Sequence, residues 1–247
     1  MALLEISDID SWKNFFDLIF DSSTIIELKL DQEKCKITLL NNSHVAFYDA
    51  EYDREFFDTY EVDGAESILV YVEDFYKILK SASKDDTLIL ESYDDILKII
   101  FEHDMNRRVF EIPLGEDYST IPPMPDIGYN GSCTVLLKEL QKPCNDLDKI
   151  IKTNKFTCNV HDGHVHITSP KDSMTQYEQI FDTDEDFTGQ VIVDVAYIQQ
   201  VLKLSKIDKV VELYLGDGVP LKWKVASPMG DVSISGLIAP IIEDSEG

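Results

Sequence analysis

Apolar and polar positions alternate along most of this chain, with the period of a strand rather than a helix. Residues 25–30 and 36–40 flank a polar turn at 31–34, and residues 156–160 and 165–168 flank Asp162-Gly163. An Asp-Gly pair between alternating segments predicts a hairpin, because both central positions of a type I′ turn need φ > 0. Further strands are expected at 56–62, 67–71, 88–92, 97–102, 109–114, 175–181, 191–193, 211–215, 221–225 and 232–237. Four stretches break the alternation. Trp12, Phe15, Phe16 and Ile19 stand at i, i+3, i+4, i+7, as do Val72, Phe75, Tyr76 and Leu79. Leu136, Leu140, Leu147 and Ile151 give a third stripe, and Ile198, Val201 and Leu202, with Ser205 as a weaker member, a fourth. Each is the pattern of a short helix with one buried face. Pro143 inside the third should kink that helix or delay its start.

The pattern repeats. Val72, Phe75, Ile78, Leu79, Lys80, Leu88 and Leu90 recur at one constant offset as Val195, Ile198, Val201, Leu202, Lys203, Val211 and Leu213. The offset is about half the chain, far too long for a solenoid, and suits a duplicated globular domain. At 247 residues there is room for two domains, each with its own core. Between the copies, residues 115–131 carry Ile121-Pro-Pro-Met-Pro-Asp-Ile-Gly, whose prolines favour an extended connector. Ile121, Met124 and Ile127 are apolar side chains an inert linker would not need. The acidic tail 243–247 is expected to fray.

Composition narrows the function classes. No run of 18 apolar residues appears, which argues against a membrane helix. The N-terminus lacks the basic and apolar regions of a secretory signal. Cys35, Cys133, Cys144 and Cys158 form no C-x-x-C pair, the usage expected of free thiols in a reducing compartment. The net charge of −25 by itself opposes nucleic-acid binding. Surface fields reach only roughly 8–10 Å at physiological salt, however. Placement of the lysines therefore decides the matter. Lys77, Lys80 and Lys84 fall at i, i+3, i+7 opposite the apolar stripe of the second helix. Lys203 and Lys206 share a face of the last, with Lys209 just beyond. The third offers Lys138, Lys142, Lys149 and Lys152, the first only Lys13. One such stripe is ordinarily a solvated face; recurrence on four helices also fits a basic surface that touches phosphates without reading sequence.

Several segments resemble a known family. Ser43-His44-Val45, Phe57-Asp58-Thr59-Tyr60, Lys77-Ile78-Leu79-Lys80, Pro220-Leu221-Lys222 and Leu237-Ile238-Ala239-Pro240-Ile241-Ile242-Glu243-Asp244 are similar, in order and position, to the sliding DNA clamps called proliferating cell nuclear antigen. The proline-rich connector is more similar to archaeal clamps. The resemblance implies an α+β fold of two tandem clamp domains, 1–116 and 132–247, joined by a connector at 117–131. Antiparallel sheets would lie outside, with two helices per domain inside. Three chains would close a ring, since one chain of this length has a radius of gyration of about 18 Å and cannot surround a duplex alone. The implied function is that of a non-catalytic processivity factor. It would encircle double-stranded DNA without sequence preference and tether polymerases, nucleases and ligases.

The resemblance also carries residues. Lys13, Lys77, Lys80, Lys142, Lys149 and Lys203 match DNA-facing positions, and the stripes add Lys84, Lys206 and Lys209. Asn14, Asn145 and Ala196 depart from the pattern where a basic residue is expected, which implies a weaker grip. Val109, Phe110, Ile112 and Leu114 would meet Thr175, Tyr177 and Ile180 of a neighbouring subunit. Leu40, His44, Val45, Met124, Ile127, Pro220, Leu237 and Pro240 would receive the short hydrophobic motifs of partners: DNA polymerase, flap endonuclease and ligase. A clamp loader is a further implied partner, and the location is intracellular, cytoplasmic or nucleoid in an archaeon and nuclear in a eukaryote. No cofactor, metal, catalytic group or membrane contact is expected.

Two rival readings stand beside this one. The chain could be an adaptor of the same fold that holds partners with no DNA passing through it. His161, His164 and His166 could share one sheet face and bind Zn²⁺ in a small enzyme. Asp182-x-Asp184-x-Asp186 lacks the Gly and Glu of a calcium loop and reads as a solvated acidic loop. No phosphate-cradling, nucleophile-elbow or zinc-protease motif is present.

Overall fold

Segments with one apolar face become strands here because each finds an antiparallel partner for its backbone and a core for that face. The structure, a computed structural model, describes residues 1–116 and 123–242. Ile121 and Pro122 of the connector and Glu243 and Asp244 of the tail lie outside the described residues. The chain divides into two units, Met1–Pro123 with Ala226–Ile234, and Met124–Val225 with Ser235–Gly247.

In the first unit the order is β1 (Ala2–Ile6), α1 (Ile9–Ile19), β2 (Ile25–Leu30), β3 (Lys34–Leu40), β4 (Ala46–Asp53), a 3₁₀ turn (Arg54–Phe56), β5 (Thr59–Val62), β6 (Glu66–Tyr71), α2 (Val72–Lys80), β7 (Thr87–Tyr93), β8 (Ile96–His103) and β9 (Asn106–Pro113). One sheet runs β5-β1-β7-β8-β9. Strands β6, β2, β3 and β4 pair side by side, all antiparallel. Trp12, Phe16 and Phe75 meet between α1 and α2, with Phe16 and Phe75 ring centroids 4.8 Å apart. All three are fully buried, each contributing on the order of 1.5–3 kcal/mol. The stripes read from the sequence thus face one another.

The second unit repeats the plan with β10 (Gly131–Leu136), α3 (Leu137–Asn145), a π-helical segment (Asp146–Ile151), β11 (Lys155–His161), β12 (His164–Thr168), β13 (Glu178–Asp182), β14 (Gly189–Asp194), α4 (Val195–Val201), a 3₁₀ segment (Leu202–Lys206), β15 (Val210–Leu215) and β16 (Leu221–Ala226). Strand β17 (Val232–Ile238) completes the order. One sheet runs β13-β12-β11-β14, and β15 pairs with β10 and β16. Asp162 and Gly163 take φ of 51° and 73°, the backbone that the Asp-Gly hairpin reading requires.

Some expectations are corrected. Strands β1, β4 and β10 were not anticipated. β4 does carry the strand alternation, with Asp49, Glu51 and Asp53 between Tyr48, Ala50 and Tyr52, but acidic residues are poor strand formers and three of them on one face obscure it. Their charge is matched across the ladder: Lys36 Nζ lies 3.0 Å from Asp49 and 2.9 Å from Glu51, and Lys34 Nζ 2.8 Å from Glu51. The strand expected at 56–62 begins only at Thr59, because Phe57 N–H bonds back to the Arg54 carbonyl and closes a turn. β13 likewise starts at Glu178 rather than 175. Leu136 ends β10 and is no part of the third helix. Pro143 does not delay α3 but sits buried within it, and the chain then widens into the π-helical segment before Lys152 stops it at φ 59°. Lys84 lies beyond α2, so the expected three-lysine stripe ends at Lys80. No helix of the described residues is long and apolar enough to cross a membrane.

Candidate functional site

Each unit displays lysines on its helical turns. On α2, Val72, Phe75, Tyr76 and Leu79 are buried, which turns Lys77 and Lys80 to solvent. Glu73 and Asp74 in the first turn and the lysines in the last both complement the helix dipole. Lys77 pairs with Glu73 at i, i+4, an exposed contact of little stabilising value. Lys80 Nζ stands 5.1 Å from the Tyr76 ring centroid, so the aromatic face holds the cation at the surface. Lys13 behaves differently. It is half-buried and donates to the Ala82 carbonyl at 2.9 Å, tying α1 to the turn after α2.

In the second unit Lys142 is exposed on α3, Lys149 on the π-helical segment, and Lys203 and Lys206 on the 3₁₀ segment. Lys209 follows just before β15, exposed like Lys84 of the first unit. Lys138 and Lys209 border a hollow of about 350 Å³ floored by Leu136 and Leu137. These cations can meet phosphates, but none projects a rigid fork of donors that would read a base edge.

The second feature is a sheet edge in each unit that is unpaired among the described residues. β9 and β13 each stand at one end of their sheet. Val109 on β9 is 46% exposed and Ile180 on β13 is 49% exposed. An exposed edge carrying apolar side chains invites another strand. Phe110, Leu114 and Tyr177 are half-buried and Thr175 lies exposed in the loop before β13. Ile112, at 8%, belongs to the core side of its strand rather than to an open surface.

The residues that the resemblance assigned to partner motifs have distinct settings. Leu40 ends β3, half-buried. His44 is exposed at φ 58°. Buried Asn41 builds that turn: its Oδ1 accepts from Val45 N–H at 2.8 Å and Ala46 N–H at 2.9 Å. Val45, Met124, Ile127, Pro220 and Pro240 are half-buried. Leu237 is only 6% exposed, a core residue of β17 with little surface to offer. Pro240 borders a hollow of about 300 Å³ with Ile241 and Gln190.

Sequence reasoning passed over two residues. Arg108 on β9 pairs with buried Asp86, donates to the Ser81 carbonyl at 3.1 Å and lies over the Phe101 ring. It thereby fixes the edge strand to the end of α2. Ile150, 68% exposed beside Lys149, was also missed. Neither carries a sequence signal, since an arginine in a strand and an isoleucine on a helix are ordinary.

The remaining chemistry is quiet. His161 and His166 stack at 4.2 Å, so their rings run parallel instead of converging on one point. His164 Nε2 lies 3.4 Å from Asp182 and His166 Nδ1 2.9 Å from Glu178. No group of three or more His, Cys, Asp and Glu placed to hold a metal occurs among the described residues. Burial pushes the Cys133 and Cys144 thiols up to about 12 and raises Cys35 and Cys158 as well. All four therefore stay protonated and poorly nucleophilic near neutrality.

Known proteins share this arrangement. A family profile described as the N-terminal domain of proliferating cell nuclear antigen matches residues 4–115. The chain is 30% identical to the DNA polymerase sliding clamp of Methanothermobacter thermautotrophicus and 27% identical to that of Methanobrevibacter smithii, with the whole of both sequences covered in each case. Solved structures of this antigen from Thermococcus kodakaraensis and Entamoeba histolytica share the fold at a TM-score of 0.87. They are 17% and 15% identical, with 98% of this chain and 100% and 99% of theirs covered. Fold and surface thus define a duplicated α+β chain of the clamp type. The chain belongs to the proliferating cell nuclear antigen family of sliding clamps.

Proposed function

We propose that this protein is a ring-forming sliding clamp that encircles duplex DNA and tethers polymerases during replication and repair. The observation that carries the reading is the gathering of exposed lysines on helical turns of both units in a chain of net charge −25. Carboxylates elsewhere repel stray DNA, while weak cationic contacts allow sliding and strong ones would stall it. Tethering acts by raising the local concentration of an enzyme at the primer terminus. On this reading the clamp is intracellular and performs no chemistry. Its domains are 1–116 and 132–247 with a connector at 117–131. It is opened by a clamp loader and holds polymerase, flap endonuclease and ligase through hydrophobic motifs. Leu40, His44, Val45, Met124, Ile127, Pro220 and Pro240 are proposed for those motifs, with Leu237, only 6% exposed, in a lesser role. Lys77, Lys80, Lys84, Lys142, Lys149, Lys203, Lys206 and Lys209, with Lys13 in a lesser role, are proposed to face DNA.

The engagement of Lys13 with the Ala82 carbonyl favours the adaptor reading to one degree, since it leaves α1 little charge to offer DNA. Primer extension on singly primed circular DNA, with cognate loader and polymerase, separates the two. Longer products are expected on circles, with the gain lost on linear templates whose open ends release a ring. Equal product lengths with and without the protein would leave only the adaptor.

A further inference from the structure

One hollow of the second unit joins an apolar floor to a cationic rim. Leu136 and Leu137 floor it, and Lys138, Ser205 and Lys209 border it, around a volume of about 350 Å³. We infer that this hollow is a docking site for an acidic peptide segment of a partner protein. The segment lodges one large apolar side chain on the two leucines and sets its flanking carboxylates on Lys138 and Lys209. That the occupant belongs to a tethered partner rests on the function proposed above; the chemistry of the hollow does not.

Local structure builds the site. Leu136 ends β10 opposite Val210, and the Leu137 N–H donates to the Lys209 carbonyl at 2.8 Å. The 3₁₀ segment closes on itself through the Ile207 N–H, bonded to the Leu204 carbonyl at 2.9 Å, and Ser205 is left exposed at the rim. Backbone bonds thus hold both segments, so the site is preformed and little ordering opposes binding. Leu137 is buried, Leu136 half-buried, and both lysines are exposed. Neither of these two ammonium groups has an ion-pair partner among the described residues. Lys34, Lys36, Lys77 and Lys98, by contrast, are each paired.

The fold does not impose this chemistry. Strand pairing and the repeat offset set Leu136, Leu137 and Lys209 level with Ser7, Asp8 and Asp86 of the first unit. There Ser7 donates to Asp58 at 2.6 Å, Asp8 is exposed, and Asp86 is occupied by Arg108 and the Ser83 N–H. One backbone plan therefore carries a polar, self-satisfied corner in one unit and an apolar corner with two unpaired cations in the other. In a chain of net charge −25, a lining with two lysines and no carboxylate complements an anion.

Polarity and depth select the occupant. Duplex DNA would engage the lysines, but its phosphates offer nothing to the leucine floor. A free amphiphile needs a cleft that buries most of its surface, and five residues from two short segments supply only a floor and a rim. A peptide needs one anchored side chain, with its backbone left in solvent. An apolar residue between acidic ones satisfies both halves of the hollow. Lys209, proposed above to face DNA, then serves a second anion when a partner docks.

Fluorescence anisotropy of the full chain with a fluorescein-labelled hexapeptide, Asp-Glu-Leu-Phe-Glu-Asp, tests this. Saturable binding is expected, and Lys138→Glu with Lys209→Glu should weaken it about tenfold. Leu136→Ser should also weaken the peptide about tenfold while leaving affinity for a short DNA duplex unchanged. If Leu136→Ser leaves the peptide unaffected, or weakens peptide and duplex alike, the apolar floor is not a binding surface and the inference falls. Absence of saturable binding overturns it too, as does displacement of the probe by excess of a polymerase's short hydrophobic motif, which would put the probe in the other partner site. Primer extension on circular DNA is the separate arm. Stimulated extension without probe binding sinks the hollow alone; probe binding without stimulation supports the hollow and refutes the clamp reading.

Discussion

Neutralising one lysine of each unit offers the most direct test of DNA contact. Lys80 and Lys203 occupy repeated positions in the two copies, and both are exposed. Replacing both with Gln removes two cations per chain and leaves buried Leu79 and Leu204 in place. The loss at the end of α2 is small. The dipole interaction of Lys80 is worth about 0.3–1 kcal/mol, and its contact with Tyr76 about 0.5–1 kcal/mol. The fold should therefore survive. If one chain of the ring touches the duplex at a time and each of its two lysines neutralises one phosphate, the slope of log K against log salt falls by about 1.8, because each contact releases about 0.9 counterion. Between 50 and 200 mM salt that difference amounts to about tenfold in affinity, or about 1.4 kcal/mol. Fluorescence anisotropy on a short duplex across this salt range measures the slope directly. Parallel curves for wild type and variant would show that these lysines face away from DNA.

Other perturbations address partner motifs and stability. Met124→Asp should weaken binding of a hydrophobic partner peptide at least tenfold by calorimetry with the melting temperature unchanged, whereas Leu237→Ala, in the core, should cost about 2–5 kcal/mol of stability. Asn41→Ala strips two backbone N–H groups of their acceptor and should destabilise the first unit by about 1–3 kcal/mol, seen as faster amide exchange at Val45 and Ala46. Glu51 yields a pH dependence. Desolvation by burial pushes its carboxyl up, but the hydrogen bonds from Lys34 and Lys36 prevail and hold it below its usual range. A depressed carboxyl stabilises the fold above the unfolded value of about 4.3 and loses that contribution as pH falls through the folded value. Wild type should therefore exceed Glu51→Gln in urea midpoint at neutral pH, and the gap should close in acid.

Much of this molecule was legible in its sequence. The duplication, the helical stripes and the Asp-Gly hairpin rest on local spacing, which backbone geometry converts into structure with little outside help. The lysines on α2 were visible because a helix with Phe75 and Leu79 buried must expose the opposite side. Tertiary structure alone decided matters that hinge on which segments become neighbours. β4 alternates as a strand should, but its three acidic residues are acceptable on one face only because Lys34 and Lys36 of β3 match two of them, and nothing within 46–53 announces those partners. Lys13 is partly engaged because the end of α2 brings a carbonyl to it. Leu237 lies in the core, although the same residue type in the same motif reads as surface. The edge status of β9 and β13 is likewise invisible in a linear chain, since any alternating segment could have found partners on both sides. Periodicity is written in neighbouring residues; sheet order, edges and charge matching depend on contacts between distant ones.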